Sequence, residues 1–137
     1  MLRASFTILC FLFFSQPTFA NTLFETPNQA SPLNTMQSML DIGRGCVSGS
    51  KDSCRYLTGL CDVDGDSDVW NICLIGGADE ETRQIYGKFF RSISIGASTD
   101  NGDAALVHFM FKDADGAWLH EYMRMRLIDG KWFLDSF

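Results

Sequence analysis

The apolar residues of the chain follow a helical spacing up to residue 91 and an alternating spacing after it. In the first part, apolar side chains recur at intervals of three and four positions, which indicates helices with one buried face. In the second part, β-branched and aromatic runs are separated by glycine-containing turns, which is typical of an antiparallel meander. The pattern predicts one α+β domain in which short N-terminal helices pack on an antiparallel sheet.

The first predicted helix begins at Ser31, because serine is a good N-cap and the next residue, Pro32, suits the first helical position. Apolar residues then share one face over two turns. Gly43 and Gly45 follow them, and glycine weakens a helix, so we expect the helix to end there.

Two further helices begin at other capping residues. Ser50 or Asp52 can cap a short second helix. Asp79 can cap a third helix, whose first turn is acidic and whose last turn is basic, as the helix dipole favours. We expect Ile85 and Phe89 to lie on the buried face of this third helix.

Three turns set the register of the predicted sheet. Residues 99–102 and 113–116 each suit a type I turn that ends in glycine, and residues 129–130 suit a two-residue type I′ turn. The resulting opposite pairs are residues 99 and 103, 113 and 117, and 128 and 131. This register collects apolar side chains on one face, which we expect to be the core: Ile93, Ile95, Ala97, Ala105, Val107, Phe109, Phe111, Leu119, Met123, Met125, Leu127, Trp132 and Leu134.

The opposite face of the sheet is polar but rich in aromatic side chains. The candidate interface residues on it are His108, Trp118, His120, Tyr122, Arg124, Arg126, Phe133 and Asp135. The register places His108 across from Tyr122 and predicts a cross-strand ion pair between Arg124 and Asp135. The two histidines lie near arginines and could form an anion site or a pH-sensitive interface. A solvated sheet face explains the same pattern, but the aromatic content favours a protein interface or a homodimer.

One residue on the predicted core face is charged. The register places Glu121 opposite Phe109 and between Leu119 and Met123. Burial among apolar side chains raises the pKa of a carboxyl group, which suits proton exchange near neutral pH. Glu121 is therefore the candidate catalytic residue. The alternative is that this end of the strand opens to solvent and leaves an ordinary exposed glutamate.

The first twenty residues have the form of a secretory signal. A basic start is followed by an apolar run at 6–14 and a small-residue cleavage site at 18–20. The run is too short for a membrane-spanning helix, which needs about 20 apolar residues. We expect cleavage after Ala20 and export to the periplasm or the medium, with no membrane contact afterwards.

The expected mature chain is small and acidic. We expect a flexible arm at 21–30 and a single domain at 31–137. Loss of Arg3 with the signal changes the formal net charge from −6 to −7. This charge repels phosphate backbones, so we do not expect a nucleic-acid partner.

The cysteines of the expected mature chain are an even set in its first half. They are Cys46, Cys54, Cys61 and Cys73. An exported chain would join them in two disulfides. The set contains no CxxC spacing and no nearby histidine, so we expect neither a metal site nor any cofactor. The spacing does not decide among the three pairings; we favour Cys46 with Cys54 and Cys61 with Cys73.

Aspartates at every second position from Asp62 to Asp68 suggest a calcium loop. A helix-loop-helix calcium site would need glycine at its sixth position and glutamate at its twelfth, where this chain has Ser67 and Cys73. A solvated acidic turn explains these residues better. The next segment, 69–75, is short and apolar, and it suits a strand and a buried helix equally.

Short helices followed by a meander that closes with RMRLIDGKWFLDSF resemble the nuclear transport factor 2-like superfamily, which has the ketosteroid isomerase-like cone fold. The resemblance rests mainly on residues 79–137, above all on the Asp-Gly turn and on Lys131-Trp132. It implies a curved, cone-like sheet covered by helices, a pocket between the two layers, and dimers built on the outer side of the sheet. Members include isomerases, dehydratases and binding domains, so the resemblance implies no single activity.

The sequence favours an exported, non-enzymatic module that binds a protein or a small ligand. Common catalytic signatures such as the Ser-His-Asp elbow, the P-loop and the zinc HExxH motif are absent from it. Two alternatives remain. One is an isomerase or dehydratase type of enzyme that uses Glu121 and a small molecule in the cone pocket. The other is a periplasmic immunity protein that blocks a toxin.

Overall fold

A computed structural model describes residues 26–137 of the chain; the predicted signal and cleavage site lie outside them. The helices are α1 (Pro32–Val47), α2 (Lys51–Thr58), α3 (Ser67–Cys73) and α4 (Glu80–Ser92), with a 3₁₀ turn at Ile75–Gly77. The strands are β1 (Ser94–Asn101), β2 (Ala104–Lys112), β3 (Trp118–Ile128) and β4 (Lys131–Ser136). The predicted α+β class is confirmed, because the helices pack on one antiparallel sheet in the order β1-β2-β3-β4.

Helix α1 begins as predicted, but the predicted stop is wrong. Ser31 accepts a hydrogen bond from the Asn34 N–H at 3.1 Å, and the helix continues through both glycines to Val47. A Cβ at Gly43 would lie 2.5 Å from Cε1 of Phe90, and a Cβ at Gly45 would lie 2.6 Å from the Ser53 hydroxyl. The two glycines therefore let α4 and α2 approach α1 closely.

The predicted caps of α2 and α4 are also confirmed. Ser50 accepts from the Ser53 N–H, and Asp79 accepts from the Thr82 N–H at 2.7 Å, which lowers the pKa of Asp79. The prediction that Ile85 is buried is wrong, since 61% of it is exposed. The buried face of α4 is centred on Gly87 and Phe90. Ile85 precedes Gly87 by two positions, so it lies on the opposite side of the helix.

The ambiguous apolar segment is mainly helical. Asp66 caps α3 by accepting from the Val69 N–H at 2.9 Å, and Val69 and Ile72 are completely buried. The N-cap Asp66 therefore favours a helix in a segment whose apolar pattern alone suits a strand equally well.

Two of the three predicted turns are confirmed, since Lys112 pairs with Trp118 and Ile128 with Lys131. The first turn is shorter than predicted. Asn101 pairs with Ala104, so β1 and β2 are joined by a two-residue loop that begins at Gly102 with a positive φ of 67°.

Strand β1 contains a bulge that removes one predicted core residue. Ile95 pairs with Phe109 but Ser98 pairs with Val107, so the register shifts between them and Ala97 is exposed. Leu119, also predicted to be in the core, is 40% exposed. The rest of the predicted core face is buried or half-buried. Met125 and Leu134 lie directly opposite each other, and both are fully buried.

Both disulfides have the favoured pairing. Cys46 is joined to Cys54, and this bond ties the end of α1 to α2. Cys61 is joined to Cys73, and this bond ties the loop between α2 and α3, which we call the acidic loop, to the end of α3. Two disulfides indicate an oxidising compartment. Over residues 26–137, the helices are too short or too polar to cross a bilayer.

The loop after α2 covers the edge of β4. Leu134 donates to the Leu60 carbonyl at 2.8 Å, and Asp62 donates to the Leu134 carbonyl at 2.7 Å, so this segment adds a short parallel bridge. Gln29 hydrogen-bonds Trp132 through both backbone and side chain. Chain at this edge therefore blocks further strand pairing.

Candidate functional site

The side of the sheet that faces away from the helices is the candidate site; we call it the outer face. It consists of the strand residues that alternate with the buried ones on β2, β3 and β4, and no described element packs over it. Leu106, Trp118 and Tyr122 are 42%, 49% and 57% exposed there. The outer face therefore presents large apolar and aromatic groups to solvent.

Seven of the eight predicted interface residues lie on the outer face as the alternation requires, and Asp135 lies in an irregularity at its edge. Leu106 and Met110 share the outer face but were not predicted as interface residues. The signal that identifies them is the same alternation on β2 that identifies His108.

The two histidines are in direct contact. His108 Nε2 lies 3.1 Å from His120 Nδ1, and the ring centroids are 5.3 Å apart at an interplanar angle of 25°. His108 pairs across the strands with Tyr122, as predicted, and their ring centroids are 5.2 Å apart. A contact between two imidazole nitrogens requires that the accepting nitrogen be unprotonated.

Cations lie on the same face as this aromatic cluster, spread along the strands. The Lys112 ammonium lies 5.1 Å from the centre of the Trp118 ring, a cation–π contact. Arg124 and Lys131 are exposed, and Arg126 lies across from the half-buried Phe133. The outer face is therefore basic and aromatic, although the whole chain has a net charge of −6.

The predicted ion pair between Arg124 and Asp135 is wrong. Arg124 pairs with Ser136 and Met125 with Leu134, so Asp135 lies in a bulge of β4 between them. Among the described residues, Arg124 and Asp135 form no ion pair within 4.0 Å. The Asp135 carbonyl accepts instead from the Asp66 N–H at 2.9 Å, which draws this part of β4 toward the acidic loop.

Sequence reasoning missed the ion pair that does form. The Asp62 carboxylate accepts from Arg126 Nη1 at 3.1 Å and from the Asp64 N–H at 3.1 Å. The side chain of Asp62 is 1% exposed, whereas that of Arg126 is 48% exposed. The face of β3 on which Arg126 lies was predictable from strand alternation. Its partner was not, because Asp62 lies in a loop that only the tertiary fold brings to β4.

The neighbouring carboxylates affect the protonation of Asp135. Burial raises the pKa of Asp135, and the nearby Asp62 raises it further, while Arg126 and Arg124 oppose the shift. Asp135 therefore holds its proton more tightly than an exposed aspartate does.

The acidic loop uses its carboxylates locally. Asp62 binds Arg126 and Asp66 caps α3, so two of the four alternating aspartates already have partners. Over residues 26–137, no group of three or more histidine, cysteine or acidic side chains is arranged to hold a metal ion. The expectation that this turn is solvated is wrong for Asp62, which is only 2% exposed.

Glu121 lies where the register predicts. It pairs across the strands with Phe109, follows the exposed Leu119 by two positions and is half-buried. The next inward residue on the same side, Met123, is completely buried. Glu121 is therefore at the boundary where the covered part of the sheet ends.

A groove opens near this boundary, between α4 and the end of β2. Its volume is about 430 Å³. The lining residues are Ile85, Tyr86, Lys88, Phe89, Phe111, Lys112, Asp113, Ala114 and Phe137. Phe89 and Phe111 meet edge to face at 5.0 Å, so the floor of the groove is aromatic. Burial raises the pKa of Tyr86, and the charge of Asp68 adds to the shift.

A second groove, of about 820 Å³, lies between α2, α3 and the 3₁₀ turn, with Cys54 and Cys73 on its wall. Its cation, Arg55, already forms an ion pair with Asp52 at 3.0 Å. The Thr58 hydroxyl on its wall lies 3.0 Å from the Cys73 carbonyl. These polar groups are satisfied within the protein, so this groove offers less to a ligand than the outer face does.

No protein-family model matches the chain, and no curated protein matches it. A solved SEC-C motif containing protein from Rhodopseudomonas palustris is similar over 77% of this chain and 76% of its own, with 18% identity and a TM-score of 0.48. A protein from Campylobacter jejuni named as an NTF2-like transpeptidase is similar over 78% of this chain and 99% of its own, with 13% identity and a TM-score of 0.44. Likenesses at these values assign no family to the chain.

Proposed function

We propose that this chain is an exported, non-enzymatic binding module whose outer face binds a protein partner with an acidic surface. The observation that carries the proposal is an uncovered, aromatic and cationic sheet face on a chain of net negative charge. We also place the fold in the nuclear transport factor 2-like superfamily, on the resemblance of residues 79–137 and the one-sided packing of helices on the sheet.

The composition of the outer face supports an interface. Tyrosine, tryptophan and arginine are enriched at protein interfaces, and the exposed part of this face contains all three. Trp118 and Tyr122 combine a large apolar area with a polar group, which suits residues that anchor a partner. Leu106, which is 42% exposed, adds apolar area to the same face.

The charges of the outer face favour an acidic partner over a second copy. A two-fold symmetric dimer buries the same surface of both subunits, so the basic face that carries Arg124 and Lys131 would meet another basic face. Like charges brought together across an interface oppose association. An acidic surface would instead be attracted to these cations.

Export is supported by the two disulfides and by the form of the first twenty residues. Disulfides form and persist in the periplasm or outside the cell and are rare in the cytosol. The proposed site of action is therefore the periplasm or the medium.

Binding to poly-L-glutamate tests the proposed charge preference. The oxidised mature chain should bind this polymer at low ionic strength although both carry net negative charge, because the cations of the outer face are concentrated on one side. A double substitution, Arg124→Gln with Lys131→Gln, should abolish the binding. The matched control, Lys51→Gln with Arg91→Gln, removes the same charge from exposed positions on the helical side and should retain it.

Two results would overturn the proposal. One is equal loss of polymer binding in the two double variants, which would show that only net charge matters. The other is sedimentation of the purified chain as a dimer that the outer-face variant dissociates, which would make a second copy the occupant.

The groove between α4 and β2 favours a second candidate function, the binding of a small apolar ligand. Its volume of about 430 Å³ lies within the range of about 300–1,000 Å³ that is usual for ligand pockets. Its aromatic floor and exposed Ile85 give it an apolar character. The dye ANS should fluoresce more strongly when it binds this groove. We expect Phe111→Ala to abolish the enhancement and Leu74→Ala, outside the groove, to keep it. Equal dye binding by the two variants would contradict this second function.

The enzyme alternative depends on Glu121, which is half-buried but is not among the residues that line that groove. Glu121→Gln keeps the size of the side chain and removes its acid–base chemistry. If a small-molecule turnover is found, this variant should abolish it without changing the melting midpoint. Unchanged turnover would remove Glu121 as a catalytic candidate.

A further inference from the structure

The two histidines of the outer face have the mutual geometry of ligands to one ion. His108 Nε2 and His120 Nδ1 are 3.1 Å apart. Two nitrogens bound to one tetrahedral zinc at about 2.0–2.1 Å lie about 3.3 Å from each other. Separating the nitrogens by a few tenths of an ångström and turning the rings so that both lone pairs point at one ion would convert this contact into a pair of metal bonds.

The backbone holds His108 in place for this arrangement. The bulge in β1 places Gly96 against the histidine, where a Cβ would lie 2.8 Å from His108 Nδ1. On another side, the Tyr122 ring lies 5.2 Å from the His108 ring. The ring of His108 is thus confined between a glycine, a tyrosine and the second histidine, all on strands of one sheet. Sites built on strands keep their geometry better than sites on loops.

We propose that His108 and His120 bind one divalent transition-metal ion on the outer face through His108 Nε2 and His120 Nδ1. Imidazole suits zinc, copper and nickel, and it binds them in its neutral form. When the ion binds, the ring that donated in the metal-free contact carries its proton on its other nitrogen, so both imidazoles stay neutral.

The site is open. Within residues 26–137, no third histidine, cysteine or acidic side chain joins the pair, so water or an added ligand completes the coordination. A structural zinc site has four protein ligands, so a site with two imidazoles is a surface binding site and not a structural one. The cations Lys112 and Arg124 share the face and weaken the attraction for a positive ion, so we expect modest affinity.

This inference does not depend on a protein partner, so it stands or falls separately from the proposed function. Zinc chloride is titrated into the oxidised mature chain at neutral pH by calorimetry. One equivalent should bind. Copper(II) bound to the same chain should show coupling to two imidazole nitrogens by electron paramagnetic resonance.

The variants His108→Gln and His120→Asn keep a polar group near each ligating nitrogen but remove the imidazole. Loss of an outer-shell partner already costs about 10–100-fold in metal affinity, so loss of a ligand should cost at least about tenfold. The controls are Tyr122→Phe and Asp64→Asn, which leave both imidazoles in place and should keep the affinity. His120 is exposed, so its variant should fold even if that of His108 does not.

Two outcomes would overturn the inference. The first is no zinc binding by the wild-type chain in the micromolar range. The second is binding that survives in the His108→Gln/His120→Asn double variant, or that is lost on Asp64→Asn, because either would place the ion elsewhere. Binding of poly-L-glutamate by the double variant reports on the proposed function alone, since the cations of the outer face are unchanged.

Discussion

Arg124 and Arg126 show how much depends on where one partner lies. Both arginines are exposed on the same side of β3, two positions apart. Arg126 is held by the buried Asp62, whereas Arg124 has no ion-pair partner among the described residues. Removal of Arg126 would leave the buried carboxylate of Asp62 without its ion-pair partner, whereas removal of Arg124 leaves no buried charge unpaired. The two arginines should therefore differ in their contribution to stability.

We predict that Arg126→Ala lowers the free energy of unfolding by about 1.5–3 kcal/mol, the usual value for a hydrogen bond to a charged group. Arg124→Ala is the matched control and should cost about 1 kcal/mol or less, as for an exposed charge. Urea denaturation of the two oxidised variants measures both. Equal costs would mean that Asp62 is satisfied without Arg126.

Asp135 should make stability depend on pH. Its pKa is raised in the folded state above the ordinary value of 3.8, mainly by burial and then by Asp62. The folded state therefore binds this proton more tightly than the unfolded state does. The stabilisation is present below pH 3.8 and is lost as the pH rises through the higher folded-state pKa.

We predict that Asp135→Asn is more stable than the wild type at neutral pH and no more stable well below the ordinary pKa, because asparagine never carries the charge. Thermal unfolding at both pH values, with Asp115→Asn at an exposed position of a turn as the control, measures the difference. A variant that is less stable at neutral pH would show that the ionised carboxylate of Asp135 stabilises the fold.

For single residues, the sequence predicted which face of the sheet a side chain lies on better than it predicted which residue that side chain contacts. It placed His108, Tyr122 and Arg126 on one face because side chains alternate along a strand. It could not predict the ion pair of Arg126, because Asp62 is 64 positions away and reaches β3 through the loop that covers β4. Such a contact is determined by tertiary packing and leaves no local pattern.

At the scale of elements, the starts of helices were predictable and one end was not. Ser31, Ser50 and Asp79 all cap helices as their side-chain oxygens allow. Gly43 was expected to stop α1, but its lack of a Cβ serves the packing of Phe90 instead. Glycine lowers helix stability by only about 1 kcal/mol, which close packing easily outweighs.

Gly43 and Gly87 make a matched test of this explanation. Both are buried in helices, but a Cβ at Gly87 would have its nearest neighbours at 3.7 Å, an ordinary contact. We predict that Gly43→Ala lowers the free energy of unfolding by about 1–3 kcal/mol through overpacking. Gly87→Ala should be neutral or stabilising by up to about 1 kcal/mol. Stabilisation by both in chemical denaturation would show that Gly43 is not a packing residue.

The register of the sheet was predictable where turn chemistry is local. The turns at 113–116 and 129–130 fixed β2, β3 and β4, and Met125 and Leu134 are buried opposite each other as expected. The bulges at Gly96 and Asp135 were not predictable, because each depends on a side-chain or loop contact and not on the residues of a turn. Gly96 makes room for His108, and Asp135 bonds to the acidic loop.

In the whole molecule, the two sides of the sheet differ in packing and in composition. The helices and both disulfides lie with the buried side, and the aromatic and cationic groups lie on the other. The sequence predicted this division from alternation. It did not identify the contact between the two histidines, because that contact depends on ring orientation and on the space left by the bulge in β1.

The central claim is that the outer face is the surface that binds a partner. A photo-crosslinking amino acid placed at Tyr122, in the native cells, tests it most directly. The control position is Leu74, which is equally exposed at 57% but lies on the helical side of the fold. We expect a discrete adduct with an acidic protein from position 122 and none from position 74. Equal crosslinking from both positions, or an adduct with a second copy of this chain from position 122, would contradict it.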